Sequence, residues 1–156
     1  MKKIITFFII SILLVCFESN AETIIHNKKA KNKLLGKHLF ALQWIGWKNF
    51  GTVIVHEKDG TIYIKGKQKG ISGEAKKDFV SIDGIITSVK AKEFTFKGDI
   101  ITKVYHISDG IPCKRSGSMT FKIKGYRKYW RLQSTVNPCQ PEGSSLADYI
   151  DIFKRK

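Results

Sequence analysis

Residues 52–66 have the sequence TVIVHEKDGTIYIKG, and this stretch decides the fold class. Two short runs rich in β-branched residues flank the dipeptide Asp59-Gly60. Asp-Gly favours the tight two-residue turn of a β-hairpin, and Val, Ile, Thr and Tyr favour strands. The stretch therefore predicts two antiparallel strands joined by a turn at Asp59-Gly60.

Similar runs lie on both sides of this hairpin. Asp83-Gly84 separates DFVSI from IITSV and predicts a second hairpin by the same reasoning. In KEFTFKG and SMTFKIKG, apolar and polar residues alternate, which places Phe94 and Phe96, and likewise Met119, Phe121 and Ile123, on buried faces. KHLFALQWI, IITKVYHI, YRKYWRLQ and DYIDIF complete the set.

The whole pattern predicts an all-β fold, because no run of 10–15 residues has a helical period. We expect a single antiparallel meander of about eight or nine strands, forming either a closed small barrel or a sandwich. Closure of a barrel would remove the exposed edge strands. The plan resembles lipocalin-like barrels, a similarity of architecture that no diagnostic motif accompanies.

The N-terminus carries the pattern of a secretory signal peptide. Two lysines precede an apolar run from residue 4 to residue 17, and small residues end the segment at Ala21. The run is shorter than the roughly 20 residues that span a bilayer as a helix. We expect cleavage after Ala21 and a periplasmic or secreted product without a transmembrane span; lipidation of Cys16 is the less favoured alternative, because Val15 is not small.

Removal of residues 1–21 leaves a flexible basic arm at residues 22–33 and a single all-β domain at residues 34–156. The domain contains two cysteines, Cys113 and Cys139. An even number of cysteines in an exported chain predicts a disulfide bond.

The chain carries a formal charge of +15, a field that attracts polyanions such as anionic lipid, acidic glycan or nucleic acid. Of its 28 basic residues, 24 are lysine, and the lysines are spread along the sequence. Arginine is the residue preferred for bidentate phosphate recognition. Compositional drift with a gain in solubility therefore explains the charge better than a dedicated polyanion site, and no specific nucleic-acid recognition is expected.

The sequence contains no catalytic motif, phosphate loop or metal-binding spacing. His26, His38, His56 and His106 lie in separate segments, and the neighbours His56 and Glu57 point to opposite faces of a strand. We therefore expect a protein that is not an enzyme and that uses no cofactor or metal.

Two groups of residues are candidates for ligand binding. Trp44, Trp47 and Phe50 lie within WIGWKNFG, where Trp44 is expected to plug a barrel end and Trp47 and Phe50 to contact a sugar or lipid. In YRKYWRLQ, alternation places Trp130 and Leu132 in the core. The opposite face of that strand is a row formed by Arg127, Tyr129 and Arg131.

These observations favour an exported binding protein for a cell-envelope or extracellular ligand, either an anionic envelope component or a small apolar molecule. The alternative is an exported protein that inhibits, or is a partner of, a foreign or envelope enzyme. The positive charge disfavours basic target enzymes, because like charges repel during encounter.

Overall fold

The computed structural model describes residues 22–154, which form nine strands and one α-helix. In chain order these are β1 (Ile24–Ile25), α1 (Lys28–Leu34), β2 (Gly36–Leu42), β3 (Gly51–Lys58), β4 (Thr61–Lys69), β5 (Phe79–Val89), β6 (Glu93–Lys103), β7 (Cys113–Lys122), β8 (Tyr129–Leu132) and β9 (Ile150–Phe153). Short 3₁₀ turns lie at Gly73–Lys77 and Ser108–Gly110. None of the helices within residues 22–154 has the length and apolar character needed to cross a membrane.

Strands β2 to β9 form a closed eight-stranded barrel. Each pairs antiparallel with the next along the chain, and β9 pairs with β2 to close the ring. The short strand β1 lies outside this ring and pairs in parallel with β5. The prediction of an all-β antiparallel meander is confirmed, and of its two forms the barrel is the one observed.

The hairpin that decided the fold class is present. β3 and β4 pair from Lys58↔Thr61 onward, and both turn residues have positive φ, 49° at Asp59 and 77° at Gly60. These values match the type I′ turn, in which both central residues are left-handed.

The second predicted hairpin is wrong, because Asp83-Gly84 lies inside the continuous strand β5. In the same way, Gly98 lies within β6 directly opposite Gly84. A Cβ at position 98 would lie 2.3 Å from the carbonyl oxygen of Asp83 and 2.8 Å from the Phe96 ring. The two glycines therefore allow the strands to approach closely beneath the ring of Phe96, which is a packing role rather than a turn.

The barrel interior is filled by side chains. The rings of Phe94 and Phe121 stack with centroids 5.1 Å apart, and Phe96 meets Phe121 edge to face at 6.5 Å. Trp130 lies 6.0 Å from Phe94. An eight-stranded barrel is just wide enough to be filled in this way. Met119, Phe121, Ile123, Trp130 and Leu132 are buried as the alternation predicted.

The expectation of a flexible arm at residues 22–33 differs from the structure. This segment forms β1 and most of α1, and its Asn27 side chain accepts a hydrogen bond from the Ala30 amide as an N-cap. Leu34 at the end of α1 is 1% exposed and closes the barrel end next to His38. The signal peptide predicted at residues 1–21 lies outside the described residues.

Candidate functional site

The loop between β2 and β3, residues 43–50, folds back over the outer wall of the barrel. The buried side chain of Gln68 anchors it: Oε1 accepts from the Leu42 amide at 2.7 Å, and Nε2 donates to the carbonyls of Gly46 and Asn49 at 2.9 and 2.7 Å. The bonds to Gly46 and Asn49 end on backbone atoms of the loop, so they hold the loop against β4 without using its side chains. Trp47 is thereby held at the surface with 39% of its area exposed.

An aromatic groove forms where this loop meets β8 and β9. Phe153 lies at its centre, with ring centroids 5.9 Å from Trp47, 5.2 Å from Phe50 and 4.9 Å from Tyr129. The groove encloses about 370 Å³, and Arg131 and Asp151 complete its lining. It therefore offers ring faces and edges to a ligand, with one charged pair at its border.

Arg131 and Asp151 form a bidentate ion pair on neighbouring strands. Nε of Arg131 donates to Oδ1 at 2.7 Å, and NH2 donates to Oδ2 at 2.6 Å. Burial raises the pKa of Asp151 and the guanidinium opposes that rise, while the hydrogen bonds to Asp151 raise the pKa of Arg131. The guanidinium also lies 4.2 Å from the centroid of the Tyr149 ring and 5.2 Å from that of Tyr129. Arg131 is therefore held in place by a carboxylate and by two tyrosine rings.

A second, basic groove adjoins the aromatic groove across Arg131. It encloses about 230 Å³ and is lined by polar and basic groups that include Lys124, Arg127, Gln133 and Tyr149. Arg127 lies over the Tyr129 ring, 5.8 Å from its centroid. Within residues 22–154, the NH1 group of Arg131 has no hydrogen-bond partner. A ligand that spans the two grooves can therefore meet aromatic rings on one side of Arg131 and cations on the other.

The structure brings together the residues that the sequence singled out in two distant segments. Trp47, Phe50, Tyr129 and Arg131 line the aromatic groove, and Arg127 lines the basic one. Sequence reasoning missed the other seven lining residues: Lys124, Leu132, Gln133, Thr135, Tyr149, Asp151 and Phe153. The last three alternate along DYIDIF with the buried residues Ile150 and Ile152, so alternation in β9 was the signal that could have found them.

The barrel end opposite α1 holds a buried polar cluster beside the disulfide bond. Oδ2 of Asp148 accepts from Arg115 NH2 at 2.7 Å and from Asn137 Nδ2 at 3.0 Å, and Oδ1 accepts from the Trp44 indole at 3.0 Å. The Cys113–Cys139 bond, with its Cα atoms 5.8 Å apart, confirms the predicted pairing. We assign the cluster a structural role, because its carboxylate is fully occupied in holding the connection between β8 and β9.

The histidines do not combine with carboxylates in the described residues. Nε2 of His38 lies 2.7 Å from the Leu34 carbonyl, His56 stacks on Tyr63, and His106 packs edge-on against Trp44. Within residues 22–154, no group of three or more His, Cys, Asp or Glu side chains is arranged to hold a metal ion.

Comparison with known proteins places the chain in a family. The model of the PM1083 family matches residues 22–154, and the chain therefore belongs to that family. A relative from Pasteurella multocida (strain Pm70), described as "Uncharacterized protein PM1083", is 43% identical over 125 residues, which cover 80% of this chain and 76% of the relative. No solved structure matches the chain.

Proposed function

We propose that this member of the PM1083 family is an exported, non-enzymatic binding protein whose ligand is an acidic glycan of the cell envelope or its surroundings. One observation carries the proposal: the aromatic and the basic groove adjoin across Arg131. Because side chains fill the barrel interior, the outer wall is where a ligand can be taken up.

The two grooves suit the two chemical parts of an acidic sugar. The apolar face of a sugar ring packs against aromatic rings such as Trp47 and Tyr129, which bury a large area at little entropic cost. A carboxylate or sulfate on that sugar can accept charge-assisted hydrogen bonds from Arg127 and from the unpartnered NH1 of Arg131. At about 370 Å³, the aromatic groove lies at the lower end of the roughly 300–1,000 Å³ typical of small-ligand sites.

Two features support export. The family match begins at residue 22, directly after the predicted cleavage site at Ala21. The Cys113–Cys139 disulfide is of the kind that persists in oxidising compartments such as the periplasm.

The test compares acidic oligosaccharides with their neutral counterparts by titration calorimetry in physiological salt. We expect binding of an acidic sugar that falls at least 10-fold in Trp47→Ala and in Arg127→Gln. Lys97→Gln is the matched control, since Lys97 is an exposed cation on β6 outside both grooves. Equal loss in Lys97→Gln and Arg127→Gln would show diffuse charge attraction and would reject the groove as the site.

A second function is favoured by the open edge of β7. β7 pairs with β8 only at Phe121 and Lys122, and the Gln133 amide adds one bond to the Thr120 carbonyl. Backbone groups alternate in direction along an antiparallel strand, so those of Ser116 and Ser118 face the same side as Thr120. An inhibited or partner enzyme could add an extended strand there. Capture of a partner from envelope extract that is lost in Ser118→Pro but kept in Trp47→Ala would favour this function over glycan binding.

A further inference from the structure

One end of the barrel gathers several separate parts of the chain. In a closed meander the connections alternate between ends, so α1, the turns β3–β4, β5–β6 and β7–β8, and the end of β9 meet at the same end. Direct contacts join them: the Thr23 amide donates to the Gly60 carbonyl, and the Ile123 amide donates to the carbonyl of Lys92. We call this end the basic pole because of the side chains it carries.

Thirteen basic side chains and four acidic ones lie at the basic pole. They are Lys28, Lys29, Lys31, Lys33, Lys37, Lys58, Lys90, Lys92, Lys122, Lys124, Arg127, Lys128 and Lys154, with Glu22, Glu57, Asp59 and Glu93. Outside strands β2 to β9, this end carries ten of these basic side chains against two acidic ones, because Lys37, Lys58, Lys122, Glu57 and Glu93 lie at strand ends. The connections at the opposite end carry three basic side chains against five acidic ones: Lys48, Lys76 and Lys77, with Glu74, Asp78, Asp109, Glu142 and Asp148. The folded domain therefore has a strong charge dipole along the barrel axis.

Few charges at the basic pole are neutralised by partners. Among its described residues, only Glu57 and Glu93 form ion pairs, with Lys31 and with Lys90 and Lys122 respectively. The remaining cations have no carboxylate partner there, and burial together with the charge of Lys33 lowers the pKa of Lys154. On the barrel wall, by contrast, Lys65 pairs with Asp83 and Lys114 with Asp99. Mutual repulsion at the pole is thus left uncompensated, as expected of a surface that meets an anion.

A fully exposed tyrosine projects from the basic pole. Tyr126 sits at the tip of the β7–β8 turn, where Gly125 has a φ of +58°, and its side chain is entirely open to solvent. Lys124, Arg127 and Lys128 surround it in the sequence and are exposed as well. An amphipathic ring among cations is the composition found at membrane–water interfaces.

We propose that the basic pole docks on a bilayer that contains anionic lipid, with Tyr126 at the level of the headgroups. Each basic residue near an anionic leaflet contributes about 1 kcal/mol of attraction, and the charge dipole would turn this end toward the bilayer. A dissolved polyanion would satisfy the cations but leaves Tyr126 without an apolar environment. The pole shares Lys124 and Arg127 with the basic groove, but Tyr126, Lys28, Lys29 and Lys92 line neither groove. Substitutions at these four residues therefore test the pole separately, and either proposal can fail alone.

The test measures co-sedimentation of the mature protein with vesicles of phosphatidylcholine alone or mixed with phosphatidylglycerol. We expect partitioning that requires phosphatidylglycerol and that drops on the order of 100-fold in the triple variant Lys28→Gln, Lys29→Gln, Lys92→Gln. The matched control removes three exposed, unpaired lysines near the opposite end: Lys69→Gln, Lys76→Gln, Lys77→Gln. An equal drop in both variants would overturn the proposal, because it would show attraction by net charge alone.

The tyrosine provides a second readout that charge alone would not move. Tyr126→Ser should weaken partitioning at least several-fold and leave retention on a heparin column unchanged. Heparin binding that is lost in the Lys28, Lys29, Lys92 triple variant, without vesicle binding by the wild-type protein, would reject the membrane and identify a soluble polyanion as the partner of the pole. Because Trp47→Ala leaves the pole intact, it should bind vesicles like the wild-type protein even where glycan binding is lost.

Discussion

Replacement of Arg131 by Met should strongly destabilise the fold, although Arg131 lies on the outer wall of the barrel. Its partner Asp151 has a side chain only 1% exposed, and both carboxylate oxygens accept from the guanidinium. Arg131→Met would leave this carboxylate buried without a hydrogen-bonded counter-charge, with Arg127 as the remaining cation that acts on it. Breaking a buried ion pair from one side costs about 3–5 kcal/mol. For a domain of this size, that loss corresponds to a fall in Tm of roughly 10–20 °C.

Urea unfolding at pH 7 measures this loss, and Lys65→Met is the matched control. Lys65 and Asp83 also pair across neighbouring strands at 2.7 Å, but their side chains are 77% and 61% exposed. Removal of such an exposed pair should cost about 0–1 kcal/mol. The double variant Arg131→Met, Asp151→Asn should recover part of the loss, because no buried charge remains. If Arg131→Met costs no more than Lys65→Met, the reasoning from burial is refuted.

The pH dependence gives an independent check on the cause. Burial already raises the pKa of Asp151, and removal of the guanidinium raises it further. The folded variant then binds a proton more readily than the unfolded chain, so its stability increases as the pH falls toward the folded pKa. The deficit of Arg131→Met relative to the wild-type protein should therefore shrink between pH 7 and pH 4.5. A deficit that is constant over this range would point to lost packing instead of a buried charge.

Three further predictions concern the barrel ends and its wall. Burial lowers the pKa of His38, so on acidification the unfolded chain binds the proton before the folded protein does. The free energy of unfolding should therefore fall as the pH drops below about 6.5. Urea unfolding at pH 7.5 and 5.5 measures this fall, which should be smaller in His38→Gln. In the Cys113→Ser, Cys139→Ser variant, the loop between these residues, with a sequence separation of 26, is no longer closed. Its free energy of unfolding should fall by about 3–4 kcal/mol in the same urea assay. Its circular dichroism should show intact secondary structure below the lowered Tm. Gly98→Ala should lower Tm more than any exposed strand substitution, because its Cβ would lie 2.3 Å from a backbone oxygen of Asp83; an unchanged Tm would contradict the close approach of β5 and β6.

The fold was predictable wherever a local signal agreed with the global arrangement. Asp59-Gly60 lies between two alternating runs and forms the turn it predicts, whereas Asp83-Gly84 gives the same local signal and lies inside a strand. The difference is Gly98, which lies opposite Gly84 only after β5 and β6 have paired. Likewise, residues 22–33 have no helical periodicity by themselves. α1 forms where it covers a barrel end, and that end exists only in the folded structure. Long-range packing decides both cases.

The two halves of the candidate site were predictable separately from the sequence, but their proximity in the fold was not. The aromatic loop with Trp47 and the outward row with Tyr129 and Arg131 are each visible as local patterns. Their union depends on the closing pair β9–β2, which places Phe153 between them. The ion pair of Arg131 with Asp151 depends on the same closure, since β9 lies beside β8 in the ring. Contacts that exist only in the closed barrel leave no mark in either segment.

The distribution of charge in the folded domain makes compositional drift a weaker explanation of the many lysines. Drift toward lysine would act on exposed turns at both barrel ends alike, because both ends meet solvent. The connections at the end opposite the basic pole are longer, at residues 43–50, 70–78, 104–112 and 133–149, yet they carry more acidic than basic side chains. An even bias does not account for opposite charge balances in the connections at the two ends of one barrel. The lysines of the basic pole are therefore better explained by a function at that end than by composition, which is the opposite of what their even spread along the sequence indicates.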